Sequence, residues 1–239
     1  MPVAIVTGAS QGFGKALAKG LAEQGWSLVV DARGEATLKE AETEIGACLT
    51  GGARVRALPG DVTDAGHRRA LTLAAEGLGG LDLLVNNAST LGSSPLPRLA
   101  DLSPQTLQRV VEVNTIAPLA LIQQALPLLR RSAQPRILNI TSDASVEHYE
   151  SWGGYGSSKA ALDHLSATLA VEEPGIRVWA VDPGDMRTAM HQEAFPGEDI
   201  SDRPVADAVV PSLLALIAGD TGSGRLRAAE MLPTAGGVR

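Results

Sequence analysis

Short apolar runs rich in β-branched residues alternate along this chain with longer amphipathic stretches. That alternation predicts a parallel sheet buried on both faces, with helical crossovers covering it. Strands are expected at Val3–Val6, Leu28–Asp31, Arg54–Leu58, Leu81–Val85, Arg136–Ile140, Arg177–Val181 and Leu226–Ala229. Helices fill most of the intervals. One begins at Ser103, a good N-cap, with Pro104 suited to the first helical position. It should run to about Arg131, interrupted at Pro118, which has no N–H to offer the carbonyl of Asn114 four residues back.

Composition narrows the partners. With 44% hydrophobic and 20% charged residues over 239 positions, the chain reads as one globular domain without repeats or linkers. A net charge of −7 with scattered basic residues, the longest cationic runs being the pairs Arg68-Arg69 and Arg130-Arg131, argues against nucleic acid. Cys48 is the single cysteine, so no internal disulfide can form, and its flanks carry no activating His or Lys. Four histidines, none at ligand spacing, make a structural zinc site unexpected. The chain has no apolar run long enough to span a bilayer, and a strand starts at about Val3, leaving no room for a cleaved leader. A cytoplasmic protein without membrane contacts is expected.

The first strand runs directly into Thr7-Gly8-Ala9-Ser10-Gln11-Gly12-Phe13-Gly14 and then a helix. Strand, glycine loop and helix together aim backbone N–H groups and the positive end of a helix dipole at a pyrophosphate. A plain strand-to-helix turn would explain one glycine but not three. A P-loop needs GxxxxGK followed by Ser or Thr; here five residues separate Gly8 from Gly14, and Ala16 follows Lys15.

The Gly-x-x-x-Gly-x-Gly spacing resembles the cofactor loop of the short-chain dehydrogenase/reductase family, and the resemblance recurs in order along the chain. Asp61, before Val62, matches a residue that contacts adenine. Asn86-Asn87-Ala88-Ser89 resembles the family's Asn-Asn-Ala-Gly, with Ser89 departing at the last position. Asn114, Ser142, Tyr155 and Lys159 fall at the positions of the catalytic tetrad, and Pro183-Gly184 with Thr188 resembles the segment bordering the nicotinamide. The resemblance implies a Rossmann-like, doubly wound seven-stranded parallel sheet with helices on both faces. It also implies an NAD(P)-dependent oxidoreductase acting on a carbonyl or alcohol. Cofactor contacts are expected from Gly8, Ser10, Gln11, Gly12, Phe13, Gly14, Arg33, Asp61, Val62, Asn87, Ala88, Tyr155, Lys159, Pro183, Gly184 and Thr188. Asp31 ends the second strand, but the family's ribose-selecting aspartate aligns with Ala32, and a one-residue offset turns Asp31 to the other face. Arg33 matches the arginine that pairs with a 2′-phosphate, so NADP(H) is expected ahead of NAD(H), although Gln11 replaces a second basic residue.

In Tyr155-Gly156-Ser157-Ser158-Lys159 the i, i+4 spacing sets phenol and ammonium one turn apart on one helix face. A nearby ammonium should lower the phenol's pKa from about 10, letting Tyr155 act as acid in reduction and base in oxidation. Ser142 ends the fifth strand at the ligand-binding edge and would hold the substrate oxygen; no G-x-S-x-G elbow surrounds it, which argues against a hydrolase. In the family the asparagine's main-chain carbonyl holds a relay water, and Pro118 should leave that carbonyl of Asn114 open. Tyr149, Trp152, Met186 and Met190 are candidates for the substrate wall, with a lid over about residues 185–204. The resemblance further implies a homodimer or homotetramer, built on helices whose outer faces were expected to include Leu107, Val110, Leu121, Leu162, Leu165 and Leu169. Two rivals stand beside the oxidoreductase: a catalytically silent dinucleotide-binding regulator or scaffold, and an epimerase or dehydratase of the extended relatives that share YxxxK. An intact tetrad weighs against the first, and the short C-terminal region against the second.

Overall fold

The computed structural model describes residues 1–231. Seven parallel strands lie in the order β3-β2-β1-β4-β5-β6-β7. They are β1 Val3–Val6, β2 Ser27–Ala32, β3 Val55–Pro59, β4 Leu83–Asn86, β5 Arg136–Ile140, β6 Arg177–Asp182 and β7 Gly224–Arg227. The strand period of two divides the core cleanly. Ala4, Val6, Leu83, Val85, Leu138 and Val181 pack on one face of the sheet; Val3, Ile5, Leu84, Ile137 and Val178 pack on the other. The first face is covered by α1 (Gly12–Glu23), α2 (Glu35–Ala47) and α8 (Val210–Ala218), whose buried residues join that core. The second takes α3 (Ala65–Leu78) and α5 (Ala117–Leu129). Each fully buried Leu or Val of these layers contributes about 1.5–3 kcal/mol relative to exposure, so the sheet is stiff where it carries the site. No helix among the described residues is long and apolar enough to cross a membrane.

Strand order reverses between β1 and its neighbours β2 and β4. Crossovers on either side of that point run to opposite faces, opening a crevice at the carboxyl edge of the sheet. Loops after β1, β2, β4, β5 and β6 all reach it.

Three expectations change. The seventh strand is Gly224–Arg227, and Ala228 already begins the short helix α9 (Ala228–Met231). Its two arginines hide it from an apolar-run search: β7 is half-buried, with Arg225 on Asp163 and Arg227 near Asp182. The helix from Ser103 does start as expected, Ser103 Oγ accepting the Thr106 N–H at 3.0 Å. However, it is not simply broken at Pro118. α4 (Pro104–Val111) widens into a π turn over Glu112–Ile116 and continues as α5. A π turn is how a helix absorbs a missing donor without ending. Lastly, Val110, Leu121 and Leu162 are each about 1% exposed. They face the core, leaving Leu107, Leu165 and Leu169 half-buried and Ile116 exposed on these helices.

Candidate active site

A cavity of about 800 Å³ runs along the carboxyl edge from Arg33 and Asp61 at one end to Trp152 and Phe195 at the other. All the sequence-expected cofactor and substrate residues line it. Asn114 alone among the expected residues does not.

The glycine loop is held from below. Thr7 Oγ1 accepts the N–H groups of Asn87 and Ala88, both at 3.0 Å, and Asn87 Nδ2 donates to the carbonyls of Thr7 (2.8 Å) and Gly8 (3.1 Å). Gly8 has φ +66°, and a Cβ there would lie 2.9 Å from the Ala88 Cα. A Cβ on Gly14 would lie 2.4 Å from Asn87 Nδ2 and 2.5 Å from the Gly8 carbonyl. These two glycines therefore let the β1 and β4 loops close on each other, as well as clearing the approach of a phosphate. Gln11 precedes α1 and makes no side-chain cap, so the first N–H groups of that helix have no side-chain partner. Bare helix N–H groups beside a glycine-rich loop are what a pyrophosphate requires. The residues fit a dinucleotide.

Asp31 is already engaged within the protein. Its carboxylate accepts the Gly8 N–H at 2.8 Å and pairs with His67 Nε2 at 2.9 Å, at 1% exposure. Burial pushes its carboxyl up, and the His67 and Gly8 bonds bring it part of the way back. The pair ties β2 and the first turn of α3 to the glycine loop. His67 carried no motif and was missed by sequence reasoning. Arg109 was missed too: its guanidinium reaches Asp61 Oδ2 at 2.8 Å, while Thr63 donates twice to Oδ1. Burial would raise the Asp61 carboxyl, but the Thr63 and Arg109 bonds outweigh it and hold it below its ordinary value.

At the other end Tyr155 and Lys159 rise from the first turns of α6 (Gly153–Glu172), both almost fully buried. Lys159 Nζ donates to the Ile140 carbonyl at 2.8 Å and lies 5.6 Å from the Tyr155 ring centre. Burial lowers the ammonium to about 8, against a modest upward pull from Asp163. The expected lowering of the Tyr155 phenol does not hold in the protein alone. Burial drives it well above its ordinary value, Asp182 and Asp143 add to the rise, and the Ser89 and Ser142 hydroxyls oppose it. Desolvation is the largest of these effects. Ser89, a departure from the family's glycine, thus brings an extra hydroxyl to the Tyr155 phenol; it also donates to Asn114 Oδ1 at 3.1 Å.

Asn114 explains its own absence from the wall. Its amide accepts the Thr90 N–H and donates to the Thr90 carbonyl and Ser158 Oγ, all within 3.0 Å. The side chain clamps the β4 loop to α6, and only the main chain in the π turn is left for another role. Ser142 Oγ donates to Asp143 Oδ1 at 3.0 Å and accepts the Ala144 N–H at 3.2 Å. Around these groups Trp152 stands edge-on to Tyr155 at 5.7 Å and packs against Phe195 at 5.9 Å. Met190 and Ala194 of α7 (Ala189–Ala194) pack on the same small cluster with Leu91. Met186 is buried, whereas Tyr149 is 48% exposed and turned toward Asp143. Leu91, Asp143, Ala194 and Phe195 complete the wall.

A doubly wound sheet, a glycine-rich phosphate loop at its switch point and a buried Tyr–Lys pair beside it define a dinucleotide-dependent oxidoreductase fold. The comparisons agree. A family model described as short chain dehydrogenase matches residues 2–199, and the chain belongs to the short-chain dehydrogenase/reductase family. Sepiapterin reductase of Meriones unguiculatus is 37% identical over 202 residues, covering 80% of this chain and 77% of that protein. The rhamnolipids biosynthesis 3-oxoacyl-[acyl-carrier-protein] reductase of Pseudomonas aeruginosa is 36% identical, covering 79% and 74%. Among solved structures, an alcohol dehydrogenase of the archaeon Thermococcus sibiricus, complexed with 5-hydroxy-NADP, superposes with a TM-score of 0.84 at 28% identity over 95% of each chain. The protein is thus an NAD(P)-dependent oxidoreductase by family and by fold.

Proposed function

We propose that this protein is an NADPH-dependent reductase of small carbonyl compounds, with NADH as the weaker alternative. The observation that carries the reading is the convergence of Ser142, Tyr155 and Lys159 on the cavity that the glycine loop opens. Two relatives named as reductases support the reductive direction. A silent binder finds no support among them.

When bound, the nicotinamide supplies the hydride that the carbonyl carbon accepts. Tyr155 gives its phenolic proton to the carbonyl oxygen. Burial keeps that proton on the ring at neutral pH, the form reduction needs. Ser142 orients the same oxygen and stabilises the charge developing on it. Lys159, still largely protonated at neutral pH, holds the ribose side of the site and passes a proton back toward Tyr155. The main-chain carbonyl of Asn114 positions the water that links Lys159 to solvent. Backbone from Gly8 to Gly14, with Ser10, Gln11 and Phe13, cradles the phosphates; Arg33 pairs with a 2′-phosphate; Asp61, Val62, Asn87 and Ala88 border the adenosine. Pro183, Gly184 and Thr188 border the nicotinamide. Tyr149, Trp152, Met186 and Met190 face the substrate under the 185–204 segment. The chain works in the cytoplasm as a homodimer or homotetramer, using the surface around Leu107, Ile116 and Leu165.

Spectrophotometric screening of NADPH oxidation against ketones, aldehydes and imines tests the reading. Turnover of at least one carbonyl class is expected. Tight NADPH binding with no turnover across the panel would return the protein to a binding role.

A further inference from the structure

The substrate end of the cavity carries a carboxylate that the reduction does not use. Asp143 follows Ser142 directly and lines the cavity. Its Oδ1 accepts from Ser142 Oγ (3.0 Å) and from the Ala144 N–H (2.8 Å), and its Oδ2 accepts from the Tyr149 hydroxyl (2.8 Å). Three donors and no acceptor surround it, so both of its oxygens serve as acceptors. Among the described residues Asp143 has no cationic partner within 4 Å, while the neighbouring arginines are taken. Arg225 pairs with Asp163 at 3.0 Å and donates to the Ser142 carbonyl, and Arg227 lies between Asp182 and Glu147. Asp182 and Asp185 line the same end of the cavity. The opposite end carries Arg33 and Arg109 beside Asp31 and Asp61, so its charges balance, whereas at the substrate end Asp143, Asp182 and Asp185 outnumber the Lys159 ammonium. The carboxylate field reaches Tyr155, where Asp182 and Asp143 both raise the phenol.

With the substrate oxygen on Ser142 Oγ, as the proposed reaction has it, the Asp143 carboxylate one hydrogen bond away is within reach of a substituent on the carbon next to the carbonyl. We infer that Asp143 is a specificity-determining residue that selects carbonyl compounds bearing a hydroxyl or ammonium donor beside the reacting carbonyl and rejects those bearing an anion there. Such a donor takes the place of the Ser142 hydroxyl on Oδ1 and frees that hydroxyl for the substrate oxygen. An anionic substituent leaves Ser142 bound to Asp143 and brings two negative charges together. Trp152 and Phe195 give the rest of the molecule an apolar ring surface. The inference rests on the carbonyl-reductase reading.

Four phenyl ketones differing only in that substituent test it: acetophenone, phenacyl alcohol, protonated phenacylamine and phenylglyoxylate, each reduced with saturating NADPH. The expected order of kcat/KM is ammonium and hydroxyl above acetophenone, with phenylglyoxylate last. Asp143→Asn, close in shape but uncharged, should shrink the ammonium-to-carboxylate ratio by at least about tenfold, mainly through KM. Tyr149→Phe removes the competing hydroxyl from Oδ2 and keeps the charge, so the order should persist or sharpen. A flat order with measurable acetophenone reduction, or an Asp143→Asn variant with an unchanged ratio, overturns the Asp143 assignment alone. Loss of the order in Tyr149→Phe overturns it as well. No reduction of any of the four by protein that binds NADPH overturns this inference together with the reading beneath it.

Discussion

The two ends of the cavity are built from different materials. At the phosphate end the surface is mostly backbone, fixed by glycines that let two loops touch and by hydrogen bonds that Thr7 and Asp31 accept and Asn87 donates. At the substrate end the surface is side chains, carried on the short helix α7 and on the loops after β5 and β6. The first construction tolerates little substitution at Gly8 and Gly14, where a Cβ meets backbone. The second tolerates many, because a ring or a methionine can be exchanged without moving the sheet. One fold can thus keep its cofactor chemistry while changing its substrate.

The sharpest way to separate the ends is to remove the proton donor that joins them. Tyr155→Phe should cut turnover by about a hundredfold or more, the scale of lost general acid catalysis, while titration should show NADPH affinity little changed. Equal losses in both would mean Tyr155 supports the fold rather than the reaction.

Gly14→Ala attacks the backbone end. Its new Cβ meets Asn87 Nδ2 and the Gly8 carbonyl, and overpacking of this kind costs about 1–3 kcal/mol. Melting temperature and NADPH affinity should fall together. Met190→Ala, at the side-chain end, should raise the KM of a carbonyl substrate and leave the melting temperature nearly in place. Reversal of that pattern would break the comparison.

A third effect is read in the pH dependence of stability. Lys159 ionises at about 8 in the fold against 10.5 when unfolded. Between those values the unfolded chain binds the extra proton, so stability of the cofactor-free protein rises as pH climbs from 8 toward 10. The gain is of order 2 kcal/mol. Above pH 10 the trend turns, because the unfolded Tyr155 ionises while the buried one keeps its proton. Denaturant titrations of wild type and Lys159→Met should differ in slope over this window, the variant lacking the rise. Parallel curves would place Lys159 in a solvated setting.

The smallest expected effect is the most local. Arg33→Ala should weaken NADPH binding by about tenfold, a charge-assisted hydrogen bond's worth, and leave NADH binding unchanged. A uniform loss for both cofactors would remove Arg33 from the 2′-phosphate.

Why some of this could be seen in the chain and some could not follows from the same contrast. β1, β2, β4, β5 and β6 were legible because almost all their residues are buried, which favours apolar runs such as Val3–Val6; β3, at the sheet edge, is only partly buried. The seventh was displaced by its own arginines, which an apolar search skips. Gly8, Gly14, Tyr155 and Lys159 were legible because their spacing is dictated by a loop or a helical turn. His67, Arg109 and Asp143 were not, because each acts across the fold on a residue far away or on an adjacent group with no periodic signature. His67 lies 36 positions from Asp31, and Arg109 lies 48 from Asp61. The shift of Tyr155 was misjudged for a related reason: spacing reveals a neighbouring ammonium but says nothing of burial.

The central claim is that hydride and proton meet at a carbonyl held between Ser142 and Tyr155. It is tested most directly by reducing the best ketone of the screening panel with NADPH deuterated at C4 and reading the product by mass spectrometry and NMR. The expected product is an alcohol with one deuterium on the former carbonyl carbon, delivered from a single face, at a rate that collapses in Tyr155→Phe. An alcohol without deuterium from either C4-deuterated epimer of NADPH, or undiminished formation by the phenylalanine variant, would contradict it.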